Sequence, residues 1–166
     1  MAERLLPVDD LVALLTEAPG RIADATHGVT PELLLTRPAP EEWSANDVLA
    51  HLRSCGDVWG ESMGRMLAEA SPRIRAVSPR TWIGKTDYLT LVFEPSLRAY
   101  THQRAALVAM LAPLTARQWG RTATVVGAGR PLVLTVHDYA HRMATHERAH
   151  VRQIMRIVDM VVGTQS

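Results

Sequence analysis

From Val136 to Val162 the apolar residues return at helical spacing: Val136, Tyr139, Met143, Ile154, Ile157 and Val161 fall on one stripe of a helix turning roughly 100° per residue. A helix this long with one apolar face has to lay that face against other elements, which points to a helical bundle. Two histidines, His146 and His150, fall inside the stripe. Residues four apart lie on the same helix face, so the pair presents two imidazoles to one point in the interior, a chelate geometry. His137 and His141 have the same spacing but lie about half a turn away, beside Arg148 and Arg152, and read as a solvated surface pair.

The string His146-Glu147-Arg148-Ala149-His150 matches H-E-x-x-H, the zinc-protease helix whose glutamate is a general base. The protease reading fails on the third ligand. After His150 the sequence holds no His or Glu, and its one carboxylate, Asp159, points to the opposite face. The third ligand has to come from upstream.

Length bounds the rest. At 166 residues the chain suits one domain, 1–166, able to bury a core without disulfides, so a metal here serves function first. The single cysteine, Cys55, excludes an internal disulfide, and no apolar leader or membrane-length apolar run is visible, so a cytoplasmic location is expected. A net charge of +1, with both signs spread along the chain, provides no basic footprint for nucleic acid.

Along the chain, Leu11 to Thr26 has mostly helical spacing opened by Asp9 or Asp10 as cap, and Pro19-Gly20 should kink or split it. Thr30-Pro31 opens a short helical turn. Ser44 and Asp47 form a capping box for a helix reaching about Ala68, whose inward stripe is Val48, Leu52, Cys55, Trp59, Met63 and Met66. His51 lies at the edge of that stripe and is the upstream ligand. Residues 71–85 read as a covering loop able to act as a lid. A helix from about Asp87 to Leu111 follows, with Arg104 in its apolar stripe. The glycine-rich stretch 120–131 reads as a loop or small hairpin before a second capping box, Thr135 and Asp138, starts the last helix. The expected fold is an all-α bundle of four main helices with two longer covering loops.

Trp43-Ser44, Val48-Leu49-Ala50-His51-Leu52 and, after a long interval, His146, His150 and Gln153 resemble the DinB-like superfamily of bacterial four-helix metal proteins, which includes YfiT-type metal-dependent hydrolases. The likeness covers nearly the whole chain. It implies an up-down-down-up four-helix bundle and a divalent metal ion, often zinc or nickel, on residues matching His51, His146 and His150. It also implies frequent homodimers, and relatives that transfer or isomerise with low-molecular-weight thiols.

Three neutral imidazoles leave an ion doubly positive with an open position, as in catalytic zinc sites. The expected activity on a small-molecule substrate is that of a thiol S-transferase, or of a hydrolase if water takes the open position; a non-catalytic metal-binding bundle is the alternative. Glu147 would accept a proton from the metal-bound water or thiol, or orient a histidine, or else is a partly exposed helix charge. Gln153 would hydrogen-bond a ligand or substrate, or only edge the pocket. Arg104 would bind a substrate carboxylate, unless a salt bridge to Glu94, Asp57 or another acid holds it. Asp47 reads as a cap, and Cys55, one turn from His51, reads as core.

Overall fold

The computed structural model describes residues 4–166. Four long helices form its body: α1 (Val8–Thr26), α3 (Ala45–Ala68), α5 (Phe93–Leu111) and α7 (Val136–Gly163). Three short ones, α2 (Pro31–Leu35), α4 (Pro79–Trp82) and α6 (Ala116–Trp119), lie in the connections. The main contacts put α1 and α3 each against both α5 and α7, so α1 faces α3 across one diagonal of the bundle. None of the described helices is long and apolar enough to cross a membrane.

The local signals explain where helices start. Ser44 Oγ accepts from Asp47 N at 3.0 Å while Asp47 Oδ2 accepts from Ser44 N at 3.0 Å, which satisfies two of the unpaired donors at the head of α3. Thr135 and Asp138 repeat the exchange at the head of α7. At α1 the expectation needs correcting. Asp9 and Asp10 lie in the first turn, after Pro7, and no side chain caps the helix. There the two carboxylates complement the helix dipole. Nor does Pro19 break the helix, which runs unbroken from Val8 to Thr26. Leu11, Leu15 and Ile22 are fully buried on both sides of the proline, and that burial, at roughly 2 kcal/mol per side chain, exceeds the roughly 3 kcal/mol cost of an interior proline.

The two covering segments are not independent loops. β1 (Arg73–Arg75) pairs in parallel with β2 (Thr122–Val126), and β2 pairs antiparallel with β3 (Leu132–Thr135), giving a three-stranded sheet in the order β1-β2-β3. The expected hairpin is β2–β3, with Gly127 and Gly129 at φ +91° and +88° supplying the left-handed backbone of its turn. The stretch after β1 folds into α4 and two 3₁₀ turns, Ile83–Lys85 and Tyr88–Thr90. It is tied down on α3, because Trp82 Nε1 and Tyr88 Oη both donate to Asp57 Oδ2, at 3.0 and 2.7 Å.

The core falls into two apolar clusters. One gathers Leu11, Leu15, Met63, Met66, Leu107, Leu111, Val136 and Met143. The other gathers Ile22, Val48, Leu49, Leu52, Tyr100, Ile154 and Val161. Between them each of three long helices carries polar groups at the same level: His51 and Cys55 on α3, Arg104 on α5, and His146, Glu147 and His150 on α7.

The second histidine pair is also a correction. His141 is buried, its Nδ1 accepting the backbone N–H of Leu6 at 3.1 Å, and His137 Nε2 donates to Leu6 O at 2.8 Å. Trp119 packs edge-on against His137. Helical periodicity assigned this face to water because it cannot register that the segment before α1 lies across it.

Candidate metal centre

Three imidazoles from two helices converge. His51 Nε2 lies 3.3 Å from His146 Nε2, and His150 Nε2 lies 3.1 Å from the same atom. The His51 and His150 ring centroids are 4.9 Å apart. Each imidazole nitrogen has one lone pair or one proton, so His146 Nε2 cannot make a good hydrogen bond to both neighbours. A cation at the meeting point satisfies all three. A tetrahedral ion with metal–nitrogen distances of about 2.0–2.1 Å holds its donors about 3.3 Å apart, so the two Nε2–Nε2 separations fit such an ion.

Protonation states agree with that fit. Burial, then the neighbouring His150 and Arg80, push His51 down from 6.5 to about 4. Burial, then His150, His51, Arg80 and Arg104, push His146 down to about 4. His150 is lowered as well, mainly by burial and against the opposing effect of Gln153. All three are neutral at pH 7, as metal ligands must be. His150 Nδ1 sits 2.6 Å from Gln153 Oε1; an amide oxygen only accepts, so Nδ1 carries the proton and Nε2 is bare toward the centre. Gln153 therefore orients a histidine through its oxygen, and its side chain borders the adjoining cavity.

Cys55 comes closer than core packing required. The donor atoms of His51, Cys55 and His146 all lie within 4.8 Å of one another, a group able to hold a metal ion. Sγ is 3.6 Å from His51 Nε2 but approaches His146 at Nδ1, at 3.9 Å, rather than at Nε2. The point where the three Nε2 atoms meet therefore has the better donor set, with Cys55 beside it. Burial raises the thiol to about 12, so it is protonated at neutral pH.

Glu147 and Arg104 pair with each other across the bundle. Arg104 Nε donates to Glu147 Oε1 at 2.7 Å, and Tyr100 Oη donates to the same oxygen. The pair is buried, with side chains 1% and 2% exposed. Arg104 also donates to Gln103 Oε1 and to the carbonyl of Leu52. Its guanidinium is thus occupied within the protein by a salt bridge, the alternative to a substrate contact, and the acid is neither Glu94 nor Asp57 but Glu147. Glu147 is neither an exposed helix charge nor hydrogen-bonded to a histidine. The acid behind Arg104 is on another helix, where spacing along one helix gave no pointer to it. Burial and the Glu147 charge raise the Tyr100 hydroxyl, which stays a donor. Gly56 makes the arrangement possible, because a Cβ there would stand 2.3 Å from Gln103 Oε1 and 2.5 Å from an Arg104 nitrogen.

Two cavities border the histidines. One of about 410 Å³ touches His51 and is edged by Arg37, Trp43, Asp47, Arg80 and Ile83. The other, of about 310 Å³, touches His150 and Gln153 and is edged by Glu41, Glu42, Trp43, Arg80 and Arg156. They share Trp43, which stacks on His150 at 6.2 Å and tilts against His51 at 5.2 Å. Trp59 meets His146 edge-on at 5.1 Å. The segment after β1 does cover the site, through Arg80 and Ile83, whereas residues 120–134 border neither cavity. Arg80 was not legible as a site residue: it lies in a stretch without periodicity, and only its place behind Ser78-Pro79 in a covering loop marked it.

Comparison with known proteins agrees with this architecture. The chain has no match among the curated proteins. Among solved structures it is similar to YfiT from Bacillus subtilis, described as a probable metal-dependent hydrolase with an unusual four-helix bundle topology. The TM-score is 0.79 at 20% sequence identity, over 95% of this chain and 90% of that one. The model of the DinB superfamily matches residues 14–154, a span that runs from α1 through all three histidines, and by that match the chain belongs to the DinB superfamily.

Proposed function

We propose that this protein is a metal-dependent enzyme acting on a small molecule, with a divalent ion, zinc or nickel, held by His51, His146 and His150. The observation that carries the reading is the convergence of three neutral imidazoles, with His146 Nε2 3.1 Å from His150 Nε2 and 3.3 Å from His51 Nε2, beside open cavities. A divalent ion on these three neutral ligands would have room for a further ligand and would lower the pKa of a thiol or water bound there. The residues around it have separate tasks. Gln153 fixes the tautomer and ring orientation of His150. Trp43 shields two of the rings from solvent. Glu147, engaged by Arg104 and Tyr100, supplies a structural charge beside His146 rather than a free base.

The reaction we favour is transfer of a low-molecular-weight thiol to an electrophile, after the thiol-using relatives of the superfamily. A hydrolase is the second reading, supported by the description of YfiT. Protein reconstituted with stoichiometric zinc or nickel should accelerate thiol conjugation across a panel of thiols and electrophiles, and His51→Ala should lose both ion and rate. Hydrolysis of activated esters or amides without any thiol effect would select the second reading, and a chelated protein that takes up no ion would refute both.

A further inference from the structure

We propose that Arg80 is the anchor for an anionic group, a carboxylate by chemistry, on the small molecule that occupies the histidine site. The inference rests on the metal-dependent reading above and adds the substrate class. Arg80 is exposed on α4, and its guanidinium carbon stands 5.1 Å from the centroid of the Trp43 ring. That same ring packs against His150 and His51, so the cation is one aromatic layer from two of the three imidazoles. It borders both cavities that reach the histidines.

Charge bookkeeping around the site isolates this residue. Arg37, on the rim of the larger cavity, is already paired with Asp47 at 3.2 Å. Glu147, the acid nearest the histidines on α7, is neutralised by Arg104. Glu41 and Glu42 border the smaller cavity together with Arg156. Among the described residues no carboxylate comes within 4.0 Å of Arg80, and it makes no hydrogen bond. A guanidinium held over an indole face without an acidic partner keeps N–H groups free, and these match a carboxylate in a two-point contact. A cation so held, beside a site whose own ligands are all neutral, is complementary to an anion.

The test uses cobalt(II)-substituted protein and two thiols that differ in charge, 3-mercaptopropionate and 2-mercaptoethanol, with binding read from the near-ultraviolet sulfur-to-cobalt band. Wild type should bind the anionic thiol tighter by about tenfold or more, as a charge-assisted contact requires. Arg80→Gln should bring the two affinities within about twofold, and Arg80→Glu should reverse the preference. If wild type shows no preference, or Arg80→Gln keeps it, the inference is overturned while the metal site stands. Cobalt bands that respond to neither thiol overturn the thiol reading and this inference together, and absence of any cobalt band overturns the metal site itself.

Discussion

Replacing Arg104 by methionine tests the buried pair that lies behind the histidines. The substitution keeps most of the side chain's volume and removes three donors: those to Glu147 at 2.7 Å, to Gln103 at 2.9 Å and to the Leu52 carbonyl at 3.0 Å. Glu147 stays buried, with only the Tyr100 hydroxyl on Oε1 and no partner on Oε2. Removing one member of a buried pair costs about 3–5 kcal/mol. Against a domain stability of about 5–15 kcal/mol this is a large share, and it should move the urea midpoint down by roughly 2 M at a slope of about 2 kcal/mol/M. Glu147→Leu should cost about as much, for it strands the guanidinium. The double variant removes both charges and leaves the Tyr100 hydroxyl, the Gln103 amide oxygen and the Leu52 carbonyl to find new partners, so it should lose about 1–3 kcal/mol. The assay is equilibrium urea unfolding of the metal-free protein for all four members of the cycle. If each single variant loses less than about 1 kcal/mol, or the double loses the sum of the singles, the pair is not the coupled unit described.

Other consequences can be measured directly. Gln153→Ala frees the His150 tautomer and should weaken zinc affinity by about 10–100-fold in competition with a chromogenic chelator, with helix content unchanged. Because His51 and His146 protonate near 4 rather than 6.5, the unfolded chain binds more protons than the folded one between those values. Stability of the metal-free protein should therefore be full above pH 6.5 and fall as pH drops toward 4, and denaturant midpoints across that range give the slope. Flat midpoints from pH 7 to pH 4 would contradict the neutral state of these rings. Gly56→Ala should destabilise by about 1–3 kcal/mol, against the small gain that alanine brings to an open helix position, because its methyl group displaces Gln103 and Arg104; calorimetry decides the sign.

Helical periodicity carried most of what positions the site. It set His146 and His150 on the apolar face of α7 and His51 near that of α3, and the capping signatures marked where both helices begin. Such patterns report how one helix faces the core. They are silent about which residue of one helix meets which residue of another, so Glu94 and Asp57 stood as named candidates for Arg104 and the structure supplied Glu147 instead. The parallel pairing of β1 with β2 was illegible for a similar reason, since three residues carry no usable alternation and their partner lies some fifty positions on. His137 and His141 were misplaced because the chain segment holding Leu6 takes the position that periodicity assigns to solvent.

The level at which the two apolar clusters part has a consequence for how the helices are aligned. A seam of interchangeable leucines lets one helix slide a full turn, about 5.4 Å, against its neighbours with little change in contacts. Here a slip of α7 by one turn would drive Glu147 into hydrocarbon on one side of Arg104 and carry the imidazoles away from His51. Each stranded charge would cost several kcal/mol, so only one vertical alignment survives. The groups that suit the protein to hold an ion also act as the notch that keeps its helices from gliding past each other.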